Sequence, residues 1–326
     1  MSALKRIADP FMIGIIVMMI LGLVLPIPHD AIGPITQVSN VGIFILFLLY
    51  GSRLSTGEVI DGMKNFRLQG AIIAATFLVF PALGLLTQFL TTPFLGATLA
   101  AGLLYVTLLP STVQSSIAFV SVARGNIAGA ITAATVSNLI GMIATPLLVL
   151  WLMGASGSMG WTNVRDILIL LLLPFIIGQV FQRWTGDWVR RHKKLTGLWD
   201  KGTILAVVFV SVVSATDAGV WSTVSGWMLV GVGVISVILV ALVLALTWWG
   251  GKLIGLDVGD RIALLMCGSK KSMATGLPMA NVLFSAAVVG PIVVPLIIFH
   301  QLQLMICAWL AQRLGARPDA VGVPAA

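Results

Sequence analysis

The stretch CGSKKSMATGLPMAN, Cys267 to Asn281, lies between the apolar runs RIALLM and VLFSAAVVGPIVVPLIIF. It places two adjacent cations, Lys270 and Lys271, about ten residues into a segment long and apolar enough to cross a bilayer. A charged side chain at the middle of a span costs about 2.5–3.5 kcal/mol on insertion scales. Snorkelling relieves that cost only near helix ends, so both lysines need partners at depth. Adjacent helical residues point about 100° apart, so one of the two is expected to face a site.

The chain around this stretch is apolar throughout. Of 326 residues, 59% are hydrophobic and 9% charged, and the mean hydropathy is +1.07. A soluble domain carries about a quarter charged residues, so the composition excludes one and puts the chain in a membrane. The net charge of +8 sits in short loops between apolar runs. There it reads as topology information and not as affinity for nucleic acid. Cys267 and Cys307 both fall in apolar segments and read as small apolar residues. The run FMIGIIVMMILGLVL is followed by PIPHD and not by a small-residue cleavage site, so it is expected to remain as a first span.

Ten helical spans are expected, at 11–26, 39–54, 69–90, 96–122, 127–154, 163–182, 201–218, 225–250, 260–283 and 287–313. With the N-terminus in the cytoplasm, 16 of the 19 basic residues fall on the cytoplasmic side and only Arg165 on the other. The remaining two are Lys270 and Lys271. That skew fits the positive-inside rule and puts both termini in the cytoplasm of a bacterial inner (plasma) membrane. The segment QRWTGDWVRRHKKLTGLWDK, 182–201, combines basic residues with Trp184, Trp188 and Trp199 and suits a helix lying at the cytoplasmic interface.

Ten spans divide into five and five, and an odd number inverts the second set, as in many secondary transporters. The first repeat is expected over 5–154 and the second over 160–315. Alignment of LLPSTVQSSIAFVSVARGN (108–126) with LLMCGSKKSMATGLPMAN (264–281) sets Gln114, Ser115 and Ser116 on Lys270, Lys271 and Ser272. Both segments contain a helix interruption, at Pro110-Ser111-Thr112 and at Gly268-Ser269. Proline removes a backbone donor, and unwound backbone survives in a bilayer only where protein or a cavity surrounds it. Paired discontinuous helices point to a transport site.

None of the eleven acidic residues lies in the middle of a span. The lysines are therefore left with three options: neutralisation by burial, capture by carbonyls and hydroxyls at a broken helix, or pairing with an anionic substrate. Lys271 with Ser272 is the expected functional pair. His300 is the one intramembrane histidine, beside Gln301 and Gln303, and reads as an interhelical hydrogen-bonding group. No GxxxxGK[ST] motif is present, and an enzyme is not expected.

The segments GSRLSTGEV, PSTVQSSIAFVSVARGN and CGSKKSMATGLPM resemble the bile acid:sodium symporter superfamily, in the branch of solute carrier family 10 member 7. The resemblance covers nearly the whole chain. It implies an all-α membrane fold of two inverted five-helix repeats, with a panel of helices 1, 2, 6 and 7. The core holds helices 3–5 and 8–10, with helices 4 and 9 broken and crossing. It also implies hydroxyl and amide ligands at Ser115 and Ser116 in the fourth helix, and at Thr132 or Thr135 and Ser137, beside Asn138, in the fifth. Thr76 stands where relatives carry a glutamine. In the ninth helix the family's acid, glutamine and asparagine are replaced by Met266, Lys270 and Lys271, flanked by Ser269 and Ser272. A lysine ammonium would then sit where sodium binds in relatives.

Three functions follow as expectations. The first is a secondary transporter of a small organic anion, with membrane lipid as its other partner and no nucleic acid. The second is a sodium symporter with a weak ion site at Ser115, Ser116 and Thr135. The third is a non-transporting regulator of calcium homeostasis. No cofactor is expected, and coupling to sodium or to protons stays open.

Overall fold

The computed structural model describes residues 10–53, 65–154, 165 and 168–317. Several features of the sequence reading lie outside these residues: Lys5, Arg6 and Lys64 of the basic skew, and the LSTGEV part of the first family motif. The described residues form helices joined by short turns. In order these are α1 (Pro10–Val24), α2 (His29–Arg53), α3 (Phe66–Ala74), a π-helical turn (Ala75–Val79), α4 (Phe80–Leu108), α5 (Gln114–Val122) and α6 (Ile127–Leu152). A second π-helical turn (Leu168–Leu172) leads into α7 (Leu173–Val180), followed by α8 (Gln182–Arg191) and α9 (Lys193–Asp217). A 3₁₀ turn (Val220–Thr223) precedes α10 (Gly226–Leu253), α11 (Val258–Gly268), α12 (Met273–Leu283) and α13 (Ala286–Gly315).

Among the described residues, six helices are long and apolar enough to cross a membrane, or seven if the pair bent by 96° at Phe181 counts as one. The number differs from ten for physical reasons. The expected third and fourth spans share one helical stretch of 43 residues, Phe66–Leu108, which turns at Gly96, where φ is 78°. Only glycine adopts that conformation without strain. The expected fourth and ninth spans are each cut, at 109–113 and at 269–272, leaving pieces of 9 and 11 residues on at least one side of the cut. The bend places α8 across the direction of α7. Its Trp184 and Trp188 are exposed, as expected of an interfacial helix.

The chain packs as two units. The first comprises Met1–Ser55, Leu150–Ser225 and Ala274–Val293. Here α2 and α7 approach backbone to backbone: a side chain on Gly51 would strike the Phe175 carbonyl, and one on Gly178 the Leu48 carbonyl. Small residues at such contacts let helices in lipid pack closely. Arg53 at the end of α2 grips Asp200 of α9 with both guanidinium nitrogens, at 2.5 and 3.1 Å.

The second unit comprises Thr56–Val149, Gly226–Met273 and Val294–Ala326. One end of it is tied by Asp260, whose carboxylate accepts from Asn65 Nδ2 at 2.7 Å and from Asn126 Nδ2 at 2.6 Å. These bonds join the starts of α3, α6 and α11. Asp257 caps α11 by accepting from the Asp260 amide at 2.8 Å, the usual N-cap chemistry. Further along, Gly141 of α6 leaves room for the Pro110 ring, so the break after α4 is seated directly on α6.

Candidate functional site

Both breaks belong to the second unit and meet each other. The Ser272 amide donates to the Pro110 carbonyl at 2.8 Å. Interrupting a buried helix leaves orphan carbonyls on one side and orphan amides on the other, and in hydrocarbon each must find a partner. The carbonyls around the first break can be followed one by one. Leu108 O accepts from Thr145 Oγ1 at 2.7 Å. Ser111 O accepts from Asn138 Nδ2 at 2.8 Å. Pro110 O takes the Ser272 amide. Thr107 O and Leu109 O are taken by Lys271.

Lys271 is fully buried. Its Nζ donates to Thr107 O at 2.7 Å, Leu109 O at 2.7 Å and Thr76 O at 2.9 Å. Three acceptors match the three donors of an ammonium. The Thr76 carbonyl is free for a reason written in the sequence. In the π-helical turn the Phe80 amide bonds Ala75 O, and the next residue, Pro81, has no N–H. Two of the three acceptors close the C-terminal end of α4, where a helix carries partial negative charge and a cation is favoured. The Phe80 ring lies 4.3 Å from Nζ, within cation–π range. Gln303, also fully buried, holds the lysine's own backbone. Its Oε1 accepts the Lys271 amide at 2.9 Å and its Nε2 donates to the Lys271 carbonyl at 2.8 Å. The same amide group reaches His300 Nδ1 of its own helix at 2.8 Å, and that nitrogen lies 3.3 Å from the Lys271 carbonyl.

Lys270 is equally buried but differently served. Its Nζ meets one hydroxyl, Ser115 Oγ at 3.4 Å, and the face of Phe119 at 4.2 Å. Ser115 belongs to a hydroxyl cluster at the start of α5, in which Thr112 Oγ1 bonds Ser115 at 2.8 Å and Ser116 at 3.0 Å. Ser116 in turn donates to Met266 O at 3.2 Å, and Ser111 Oγ donates to Cys267 O. The orphan carbonyls of α11 are thus covered by hydroxyls of the opposite break.

The sequence profile of the SBF-like CPA transporter family matches residues 9–316. The chain belongs to the SBF-like CPA transporter family. It is 43% identical to the uncharacterized protein PA2026 of Pseudomonas aeruginosa, over 98% of this chain and 96% of that one. It is 39% identical to YfeH of Escherichia coli, a symporter in name, over 95% and 94%. Mouse sodium/bile acid cotransporter 7 is 26% identical over 91% and 89%. The resemblance read from the three motifs is therefore a family relationship, and this SBF-like chain is an integral membrane transporter that takes a small-molecule substrate.

Within this SBF-like chain the expected site residues separate into groups. Lys270, Lys271, Ser115, Ser116, Ser272 and Pro110 come together at the crossing, as does Thr76, which contributes its carbonyl. The Thr76 hydroxyl is buried without a partner among the described residues. Ser137 and Asn138 support the break from α6, Ser137 by accepting the Ser111 amide at 3.1 Å. Ser269 turns back on Leu265 O, and Gly268 is the last residue of α11. Thr135 spends its hydroxyl on Ile131 O at 2.8 Å, so no bond joins it to Ser115 or Ser116. Thr132 enters none of the bonds around the lysines, and Gln114 is exposed at the start of α5. Sequence reasoning missed Gln303, Phe80, Phe119 and the carbonyls of Thr107 and Leu109. A signal for Gln303 exists: it stands three residues after His300 in an otherwise apolar run, on the same helical face.

Proposed function

We propose that this chain is a secondary transporter of a small organic anion, working by alternating access, in which Lys271 is a built-in cation and Lys270 faces the substrate. The observation that carries this reading is the unequal partnering of two adjacent buried lysines. Lys271 has a carbonyl acceptor for every donor and nothing left for a ligand. Lys270 has one long hydroxyl contact and a ring face, which leaves donors for an anion. Burying an ammionium-type charge without full compensation is costly, so an anion entering beside Lys270 gains from removing that cost. A carbonyl cage at a helix C-terminus is also what a hard cation seeks. With the ammonium already there, a sodium ion about 4 Å away would be opposed by about 4 kcal/mol at an effective dielectric of ~20.

The wider architecture follows the same reading. The motif alignment supports ten spans in two inverted five-helix repeats, 5–154 and 160–315. The positive-inside skew supports cytoplasmic termini in a bacterial inner membrane. The expected panel of helices 1, 2, 6 and 7 is supported by the first unit, which contains α1, α2 and α7–α9. Residues 274–293 pack with that unit as well, so the division cuts through the ninth and tenth expected spans.

The test is counterflow in proteoliposomes with a panel of organic anions. Taurocholate is included because the mouse relative carries a bile acid in its name. Uptake of an anion by the wild type, unchanged when sodium is replaced by choline, is the expected result. Uptake that requires sodium would remove the built-in cation. Folded protein that moves no anion in the panel would favour the regulatory reading.

A further inference from the structure

The first unit carries an apolar groove that the transport reading does not use. It lies between α2 and α9, with a volume of about 490 Å³, in the range of about 300–1,000 Å³ typical of ligand pockets. Its walls are Val38, Val41, Leu195, Leu198, Trp199 and Ala206. Val38 and Leu198 are 73% and 69% exposed, so the groove opens on the outer surface, where the neighbour in a membrane is lipid. Two features keep it open. Gly202 has no heavy atom within 4 Å of where a Cβ would stand, and the Trp199 indole is pinned to the wall by donating to Gly42 O at 3.4 Å. Two hydroxyl residues line it, Ser39 and Thr203, and the Ser39 hydroxyl, 3% exposed by residue, is without a partner among the described residues.

The groove ends in positive charge. Leu195, Leu198, Trp199, Gly202 and Ala206 form one stripe of α9, and Lys194 continues it backwards at a spacing of four from Leu198; Arg191 ends α8, two residues before α9 begins. Arg191, Lys193 and Lys194 are exposed. The nearby carboxylates are engaged elsewhere: Asp187 bonds Arg190 at 2.7 Å, and Asp200 bonds Arg53. An apolar slot with a buried hydroxyl, mouthed by cations beside the interfacial Trp184 and Trp188, has the chemistry of one ligand. From this geometry we infer a binding site for an anionic phospholipid, with an acyl chain in the groove and its phosphate among Arg191, Lys193 and Lys194. Clusters of basic residues at the cytoplasmic interface select anionic headgroups.

Native mass spectrometry of the full chain tests this, with detergent-solubilised protein titrated with phosphatidylglycerol or phosphatidylcholine. The wild type is expected to retain phosphatidylglycerol roughly tenfold better than phosphatidylcholine. The double variant Lys193→Gln/Lys194→Gln loses that preference. Gly202→Phe, whose Cβ meets no heavy atom within 4 Å, places a ring at the groove wall and lowers retention of both lipids. Lys252→Gln, a cation on α10, leaves retention unchanged. Equal retention of the two lipids by the wild type overturns the site, as does wild-type retention by Gly202→Phe. A dimer that Gly202→Phe dissociates, with no change in lipid, would assign the groove to a second copy instead. Counterflow of the variants, measured in parallel, separates loss of the lipid site from loss of transport.

Discussion

Lys270 and Lys271 are neighbours in the chain, equally buried, and end in opposite environments. Around Lys271 the second unit is closed: three carbonyls, a ring and a bidentate glutamine account for the side chain and its backbone. Around Lys270 fewer partners are in place: one hydroxyl at 3.4 Å and one ring. The difference separates a lysine whose three donors all meet carbonyls at a broken helix from one whose donors meet a single hydroxyl. Burial is the same for both, so burial alone would not identify a binding residue. The partner set does.

Breaking the closed side should have the largest effect. Lys271→Met removes three donors and leaves Thr76, Thr107 and Leu109 carbonyls buried and unpaired, at about 1–3 kcal/mol each. The expected outcome is a loss of about 3–9 kcal/mol, seen as a collapse of the melting temperature in detergent or as failure to recover folded protein. A Lys271→Met protein with the wild-type melting temperature would sink the cage argument. Gln303→Leu comes next. It frees the Lys271 amide and carbonyl together, for about 2–6 kcal/mol, and it should destabilise while leaving both lysine side chains in place.

The Lys270 side should respond in the other sense. Lys270→Met removes a poorly compensated buried charge, so stability is expected to hold or rise. Anion counterflow should fall at least about tenfold, or about 1.4 kcal/mol in transition-state terms. Lys270→Arg keeps the charge and should retain part of the activity. A Lys270→Met protein that transports normally would take Lys270 out of the substrate site. Ser115→Ala, which removes the one hydroxyl partner of Lys270, should change the apparent KM and leave the melting temperature alone.

Much of this was legible from residues, and the reasons are specific. The break at Pro110-Ser111-Thr112 shows in the sequence because proline and small hydroxyl residues interrupt an apolar run, and the ninth-span break shows because two lysines stand inside one. The pairing of Lys271 with Ser272 as the active couple is not what the geometry favours. A sequence displays side chains, and the acceptors that occupy Lys271 are backbone carbonyls. Pro81 is the residue that exposes one of them, yet a proline after a phenylalanine in an apolar run reads as a kink. The span count also blurs for a physical reason. Gly96 turns the chain with φ positive while hydrogen bonding continues on either side, so two expected spans share one helical stretch. The hydroxyls that the resemblance offers as ligands sit in different surroundings. Ser115 and Ser116 face the opposite break, whereas Thr135 serves its own helix.

The smallest effect is expected at the far end of the second unit, where the same comparison can be made with a carboxylate. Asp260 accepts from two amide side chains, Asn65 and Asn126, and its own backbone is capped by Asp257. It is therefore a satisfied charge, like Lys271, but at the end of a helix and not inside the break. Asp260→Asn keeps the shape and replaces one charge-assisted acceptor with a donor facing another donor. The cost should be about 1–2 kcal/mol, a modest fall in melting temperature with counterflow intact. If that substitution instead abolished transport in a stable protein, Asp260 would belong with Lys270 and not with Lys271. The three-helix tie at Asn65, Asn126 and Asp260 would then be a moving part of the transport cycle and not a fixed strut.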